Sequence, residues 1–134
     1  MLLPKGTVFA LADGEIFELY RNDGMEAEPK LSPLPVPELE ATNKSAGMRH
    51  RLNTRDPSED RLDEDAHAIA VIDWLNDQVI AGEIEKLVII ADPRSLGEMR
   101  KRYHKHLQAA LICDLDRTLT GRSGDEIVKA VRNA

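Results

Sequence analysis

The sequence predicts an α/β fold, a single domain with a mixed sheet of about four to five strands, an N-terminal β-hairpin and about three helices. Three observations carry that expectation. Leu87-Val88-Ile89-Ile90-Ala91 is an unbroken apolar run, short and β-branched, as suits a strand covered by helices on both faces. Asp92-Pro93 follows at once: Asp can accept from the first free amides of a helix, and Pro at the first helical position has no N–H to leave unpaired. Before the run, Leu62, Ala66, Ile69, Ile72, Leu75 and Val79 recur every three or four residues, the period of a helix with one buried face.

Taken in order, Thr7 to Ala12 and Glu15 to Tyr20 are β-prone runs separated by Asp13-Gly14, a hairpin signal in which both turn residues adopt positive φ. Arg21-Asn22-Asp23-Gly24 is a second turn. Leu31-Ser32-Pro33-Leu34-Pro35-Val36-Pro37 is confined to an extended or edge segment, since each proline removes a ladder donor. Residues 38–56 show no period and read as a long loop. Asp56-Pro57-Ser58-Glu59 then opens the long helix with a cap, a first-position proline and a capping-box Glu. Gly82 closes it. Leu96, Met99, Tyr103 and Leu107 predict one continuous helix after Pro93. Ala109 to Leu115 is a further strand, and Ser123 with Glu126 caps a last helix carrying Ile127, Val128 and Val131.

Composition narrows the function classes. The chain has 134 residues, 42% of them hydrophobic and 31% charged, as expected of one globular domain with its own core. Only five residues are aromatic, so that core is mainly aliphatic. The net charge of −6 argues against a general nucleic-acid coating protein but leaves room for a local basic patch. Cys113 is the single cysteine, so no internal disulfide is expected, and its apolar neighbours make it a small core residue. No segment approaches the roughly 18 apolar residues that span a bilayer. Met1-Leu2-Leu3-Pro4-Lys5-Gly6 lacks the features of a signal peptide, so the expectation is a cytoplasmic protein with no membrane insertion.

Charge is unevenly distributed. Residues 44–55 hold Lys44, Arg49, His50, Arg51 and Arg55 with no acid, and Asp56 to Asp65 then hold six acids against Arg61. Arg94 stands at the helix start after the apolar run, the usual rim of a ligand site in an open α/β sheet. Arg100, Lys101, Arg102 and Lys105 extend a basic helix face beyond it. The candidate anion- or RNA-binding residues are therefore Lys44, Arg49, His50, Arg51, Arg55, Arg94 and Arg100. The partner expected is an unidentified protein or RNA, the ribosome included. His104 and His106 are two apart and point to different faces of a helix. With His50 and His67 isolated, neither metal site nor cofactor is expected.

Asp114-Leu115-Asp116-Arg117-Thr118-Leu119-Thr120 after an apolar strand resembles the first motif of haloacid-dehalogenase-like phosphohydrolases. That likeness implies a Mg²⁺-dependent phosphohydrolase with Asp114 as nucleophile and Asp116 as acid/base. A resemblance over nearly the whole chain points elsewhere. Ala12-Asp13-Gly14, the segment Leu87 to Arg100, and Asp116-Arg117-Thr118-Leu119-Thr120 before a short last helix resemble the bacterial host-attachment protein family. That family is similar in architecture to the middle domain of archaeal and eukaryotic class-1 translation termination factors. The likeness implies a non-enzymatic binding or regulatory protein required for attachment to host cells, acting through RNA or ribosome contact. The termination factors carry Gly-Gly-Gln on a loop; here Asn43-Lys44-Ser45-Ala46-Gly47-Met48-Arg49-His50-Arg51 stands before the long helix, so their catalytic motif is absent.

Overall fold

The computed structural model describes residues 3–39 and 57–134, with side chains in the long helix from residue 62 onward. The loop expected at 38–56 therefore lies almost wholly outside the described residues, and so does Asp56 as its helix cap. Five strands form one mixed sheet: β1 Val8–Ala12, β2 Phe17–Asn22, β3 Leu31–Leu34, β4 Leu87–Ala91 and β5 Leu111–Asp116. Their spatial order is β3-β2-β1-β4-β5. β1 is antiparallel to β2 and parallel to β4, β2 is antiparallel to β3, and β4 is parallel to β5. Four described helices accompany them: α1 Pro57–Ile80, α2 Pro93–Arg100, α3 Lys105–Ala110 and α4 Gly124–Arg132.

The sheet is covered on both sides. Val8, Ala10, Ala12, Leu87, Ile89 and Ala91 face α1, α2 and α3, meeting Val71, Ile72, Leu75, Leu96, Met99 and Leu107. Phe9, Leu11, Val88 and Ile90 face the opposite way and pack on Leu3 and on Ile127 and Val131 of α4. Alternate residues of β1 and β4 thus feed two separate cores, and all five residues of each strand are buried. This is the buried strand that the apolar run at 87–91 announces.

Local signals set most of the boundaries. Asp92 caps α2 by accepting from the Ser95 amide at 3.1 Å. α1 ends in a Schellman pattern: Glu83 N–H donates to Gln78 C=O, Gly82 N–H donates to Val79 C=O, and Gly82 takes φ +80°. Ser123 caps α4 by accepting from the Glu126 amide at 3.2 Å.

Several expectations are corrected. The β1–β2 connection does not use positive φ at Asp13 or Gly14, because the Asp13 carboxylate itself accepts the Glu15 and Ile16 amides at 2.8 and 2.7 Å and shapes the turn. Gly14 lies against α1 instead: a Cβ there would lie 2.6 Å from Glu64 Cγ, so that side chain would have to shift. Arg21 and Asn22 finish β2 rather than making a turn. The helix predicted from Pro93 to Leu107 is two helices, hence four in place of three. The break comes where Asn76 of α1 binds the chain, donating to Arg102 C=O and accepting from His104 N–H, after which the His104 ring caps α3. α3 runs on through Ala110, so β5 starts at Leu111. Leu62, placed on the buried stripe of α1, is 48% exposed. Among the described residues, no helix is long and apolar enough to cross a membrane.

Because β4 is packed on both faces, truncation there is costly. Ile89→Ala should destabilise the fold by about 3 kcal/mol, whereas Ile16→Ala at an exposed position should change it by less than about 0.5 kcal/mol. Urea denaturation followed by circular dichroism measures both.

Candidate functional site

The three parallel strands end together, and each is stopped by an aspartate. Ala12 pairs with Ala91, and Ala91 with Asp116, so Asp13, Asp92 and Asp116 stand along one end of the sheet. Asp13 is the organising group. Its second carboxylate oxygen accepts from the Thr120 hydroxyl at 2.9 Å, and its carbonyl lies 3.0 Å from His67 Nδ1 of α1. Glu18 of β2 accepts from Gly121 N–H at 3.1 Å. The β1–β2 turn, α1 and the loop before α4 are thereby stapled into one surface. Burial pushes the Asp13 carboxyl up, but the two backbone donors, the Thr120 hydroxyl and the His67 charge outweigh it and hold it below the ordinary range. Asp92 uses one oxygen for the α2 cap, and its other oxygen is buried without a partner.

This end of the sheet is rich in carboxylates. No group of three or more His, Cys, Asp or Glu with the makings of a metal site occurs among the described residues. The Asp13–Thr120–His67 connection joins residues far apart in the chain and is not legible in any local motif. The available signal was that Asp ends all three apolar runs.

Among the described residues, the two candidate cations stand apart. Lys44, Arg49, His50, Arg51 and Arg55 lie outside the described residues. Arg94 and Arg100 stand at opposite ends of α2. Arg94 makes a two-pronged pair with Asp65 of α1, at 3.0 and 2.9 Å. Arg100 does the same with Asp114 of β5, at 3.0 and 2.7 Å. Lys101 pairs with Glu98, and Arg102 with Asp73. Of the basic face read from the sequence, Arg94, Arg100 and Arg102 are thus spent on carboxylates of α1 and β5, and Lys101 on a local pair.

The same geometry decides the role of Asp114. Both of its oxygens are held by Arg100, and the Tyr103 hydroxyl also donates to it at 2.9 Å. The Arg100 hydrogen bonds lower its pKa, burial works against them, and Tyr103 adds to the lowering. Tyr103 is in turn pushed well up by burial and by the facing carboxylate. A carboxylate so committed is a brace between β5 and α2, not a free nucleophile. A bulge puts it there. Leu111 pairs with Leu87 but Cys113 pairs with Val88, so one extra residue lies between. Without it Asp114 would face the α4 side; with it Asp114 sits opposite Ile89 and turns to α2. Cys113 is only half-buried on this edge strand, and burial raises its thiol pKa.

A sequence model described as bacterial archaeo-eukaryotic release factor family 12 matches residues 6–131, nearly the whole chain. The match supports the release-factor kinship and does not carry the host-attachment name. No curated protein matches the chain.

The Arg100–Asp114 brace has a defined pH dependence. Its folded-state pKa is depressed, so the stability it contributes is complete above the ordinary carboxylate value of about 4 and is lost as pH falls through the lower folded value. Asp114→Asn should cost roughly 1 kcal/mol at pH 7, a modest figure because Arg100 is half exposed. The deficit relative to wild type should shrink at pH 2 to 3, as compared by urea unfolding at the two pH values.

Proposed function

Because this chain belongs to the bacterial archaeo-eukaryotic release factor family 12, we propose that it is a non-enzymatic binding protein of the translation apparatus that contacts RNA on the ribosome. The observation that carries the reading is the family match over residues 6–131, taken with a sequence that lacks Gly-Gly-Gln. The peptide-releasing motif of the termination factors is missing, and a segment with Lys44, Arg49, Arg51 and Arg55 and no acid stands before α1. Such a segment suits phosphate contact, which is electrostatic and independent of base sequence. The commitment of Asp114 to Arg100 favours a binding role over phosphoryl transfer. An effect on attachment to host cells would then follow from altered translation rather than from direct contact with the host.

Co-sedimentation of the protein with ribosomes, over a range of salt concentrations, tests the reading. Arg49→Glu combined with Arg51→Glu should weaken association about 10-fold or more and reduce the salt slope by roughly 2. Association unaffected by the double reversal, or absent from wild type, would remove the basis for this function.

A further inference from the structure

At the end of the sheet opposite the three aspartates, the strands begin around a cleft that gathers three cations and two acids. A cavity of about 350 Å³ is lined by the cations Lys5, Arg21 and Lys86 and by the acids Glu83 and Glu85. Register explains the grouping. Val8 opens β1, with Arg21 opposite it on β2 and Leu87 opposite it on β4. The Lys86 carbonyl accepts from the Val8 amide at 2.9 Å. The backbones that carry Arg21 and Lys86 are therefore about two strand spacings apart, roughly 10 Å, within reach of long side chains on either side. None of the three cations forms an ion pair among the described residues, unlike Arg94, Arg100, Lys101 and Arg102.

The backbone beneath the cleft is held by a set of hydrogen bonds. Pro4-Lys5-Gly6-Thr7 is a tight turn with Gly6 at φ +91° and with Thr7 donating twice to Pro4 C=O, from N–H at 3.1 Å and from its hydroxyl at 2.7 Å. Asn22, fully buried, clamps that turn: its side-chain amide donates to Leu3 C=O at 2.9 Å, and its backbone carbonyl accepts from Gly6 N–H at 2.8 Å. Its side-chain oxygen accepts from the Gly24 and Lys30 amides, both at 2.9 Å. A buried, fully satisfied Asn fixes the backbone from which the exposed Lys5 and Arg21 side chains extend. A second cavity of about 280 Å³ adjoins the first across Gly82 and Glu85. It is apolar, walled by Val79, Ile84, Ala109 and Ala110, with the His106 ring at its edge. His106 is itself stacked on His104.

Resting on the RNA-contact reading above, we infer that this double cavity holds a ribonucleotide unit of single-stranded RNA. Its phosphate lies among Lys5, Arg21 and Lys86, and its base lies in the apolar groove against His106. Glu83 and Glu85, which line the same cavity, suit the hydroxyls of the ribose as acceptors. The chemistry is that of a sequence-tolerant strand site, with cations for the backbone and a ring with an apolar wall for the base. A free nucleotide shares it.

Fluorescence anisotropy of the full chain with a labelled single-stranded RNA decamer tests the site, with uridine monophosphate as competitor. Lys5→Glu with Lys86→Glu should weaken decamer binding at least 10-fold, the matching Gln pair should weaken it less, and His106→Ala should weaken it about 5-fold. Unchanged thermal midpoints of these surface variants will establish that they are folded. Competition by uridine monophosphate that depends on Lys5 and Lys86 supports the site with a free nucleotide as its source. Decamer binding that survives both double changes overturns the site while leaving the ribosome reading intact if Arg49→Glu with Arg51→Glu still weakens co-sedimentation. Binding of neither probe by wild type also overturns it.

Discussion

The parallel pairing of β1 with β4 is the constraint on which everything else rests. These strands sit at the centre of the sheet, and every residue in both is buried. Two faces of apolar side chains must be covered at once, which demands a helix layer on each side. α1, α2 and α3 meet the demand on one face and α4 on the other. The same pairing also defines the two ends of the sheet. At one end the strands stop on aspartates; at the other they start among lysines and an arginine.

Those ends have opposite chemistry for a physical reason. At the carboxyl end, acids are held by backbone donors and by a hydroxyl: Asp13 by the Glu15 and Ile16 amides and by Thr120, Asp92 by Ser95. The adjoining cations are spent on carboxylates of other elements, with Arg94 on Asp65 and Arg100 on Asp114. Exposed pairs of this kind contribute little stability each, and they leave little positive charge for a ligand. At the amino end Lys5, Arg21 and Lys86 form no ion pair among the described residues. An overall charge of −6 therefore coexists with a local grouping of Lys5, Arg21 and Lys86 that outnumbers the two acids, Glu83 and Glu85, lining the same cleft.

The phosphohydrolase-like motif shows how a few local residues mislead when tertiary structure is missing. An apolar strand followed by Asp-x-Asp reads as a nucleophile and its neighbour. The bulge in β5 decides instead which face Asp114 takes, and there an arginine and a tyrosine hold it. Register is a property of two strands, and one inserted residue reverses every side chain beyond it. Likewise the period through Leu96, Met99, Tyr103 and Leu107 was sound as an amphipathic signal. The helix breaks because Asn76, far away in the chain, binds the backbone at Arg102 and His104.

The sequence alone determined what depends on neighbours a few residues apart. The buried run at 87–91, the Asp92-Pro93 helix start, the Gly82 stop, the Ser123 cap and the edge character of the proline-rich segment were legible because period, caps and missing donors act locally. Tertiary structure alone decided the order of the strands, the face on which Asp114 lies, the Asp13–Thr120–His67 staple and the meeting of Lys5, Arg21 and Lys86. Each of these joins positions separated by many residues, and only packing both faces of β1 and β4 at the same time brings them together.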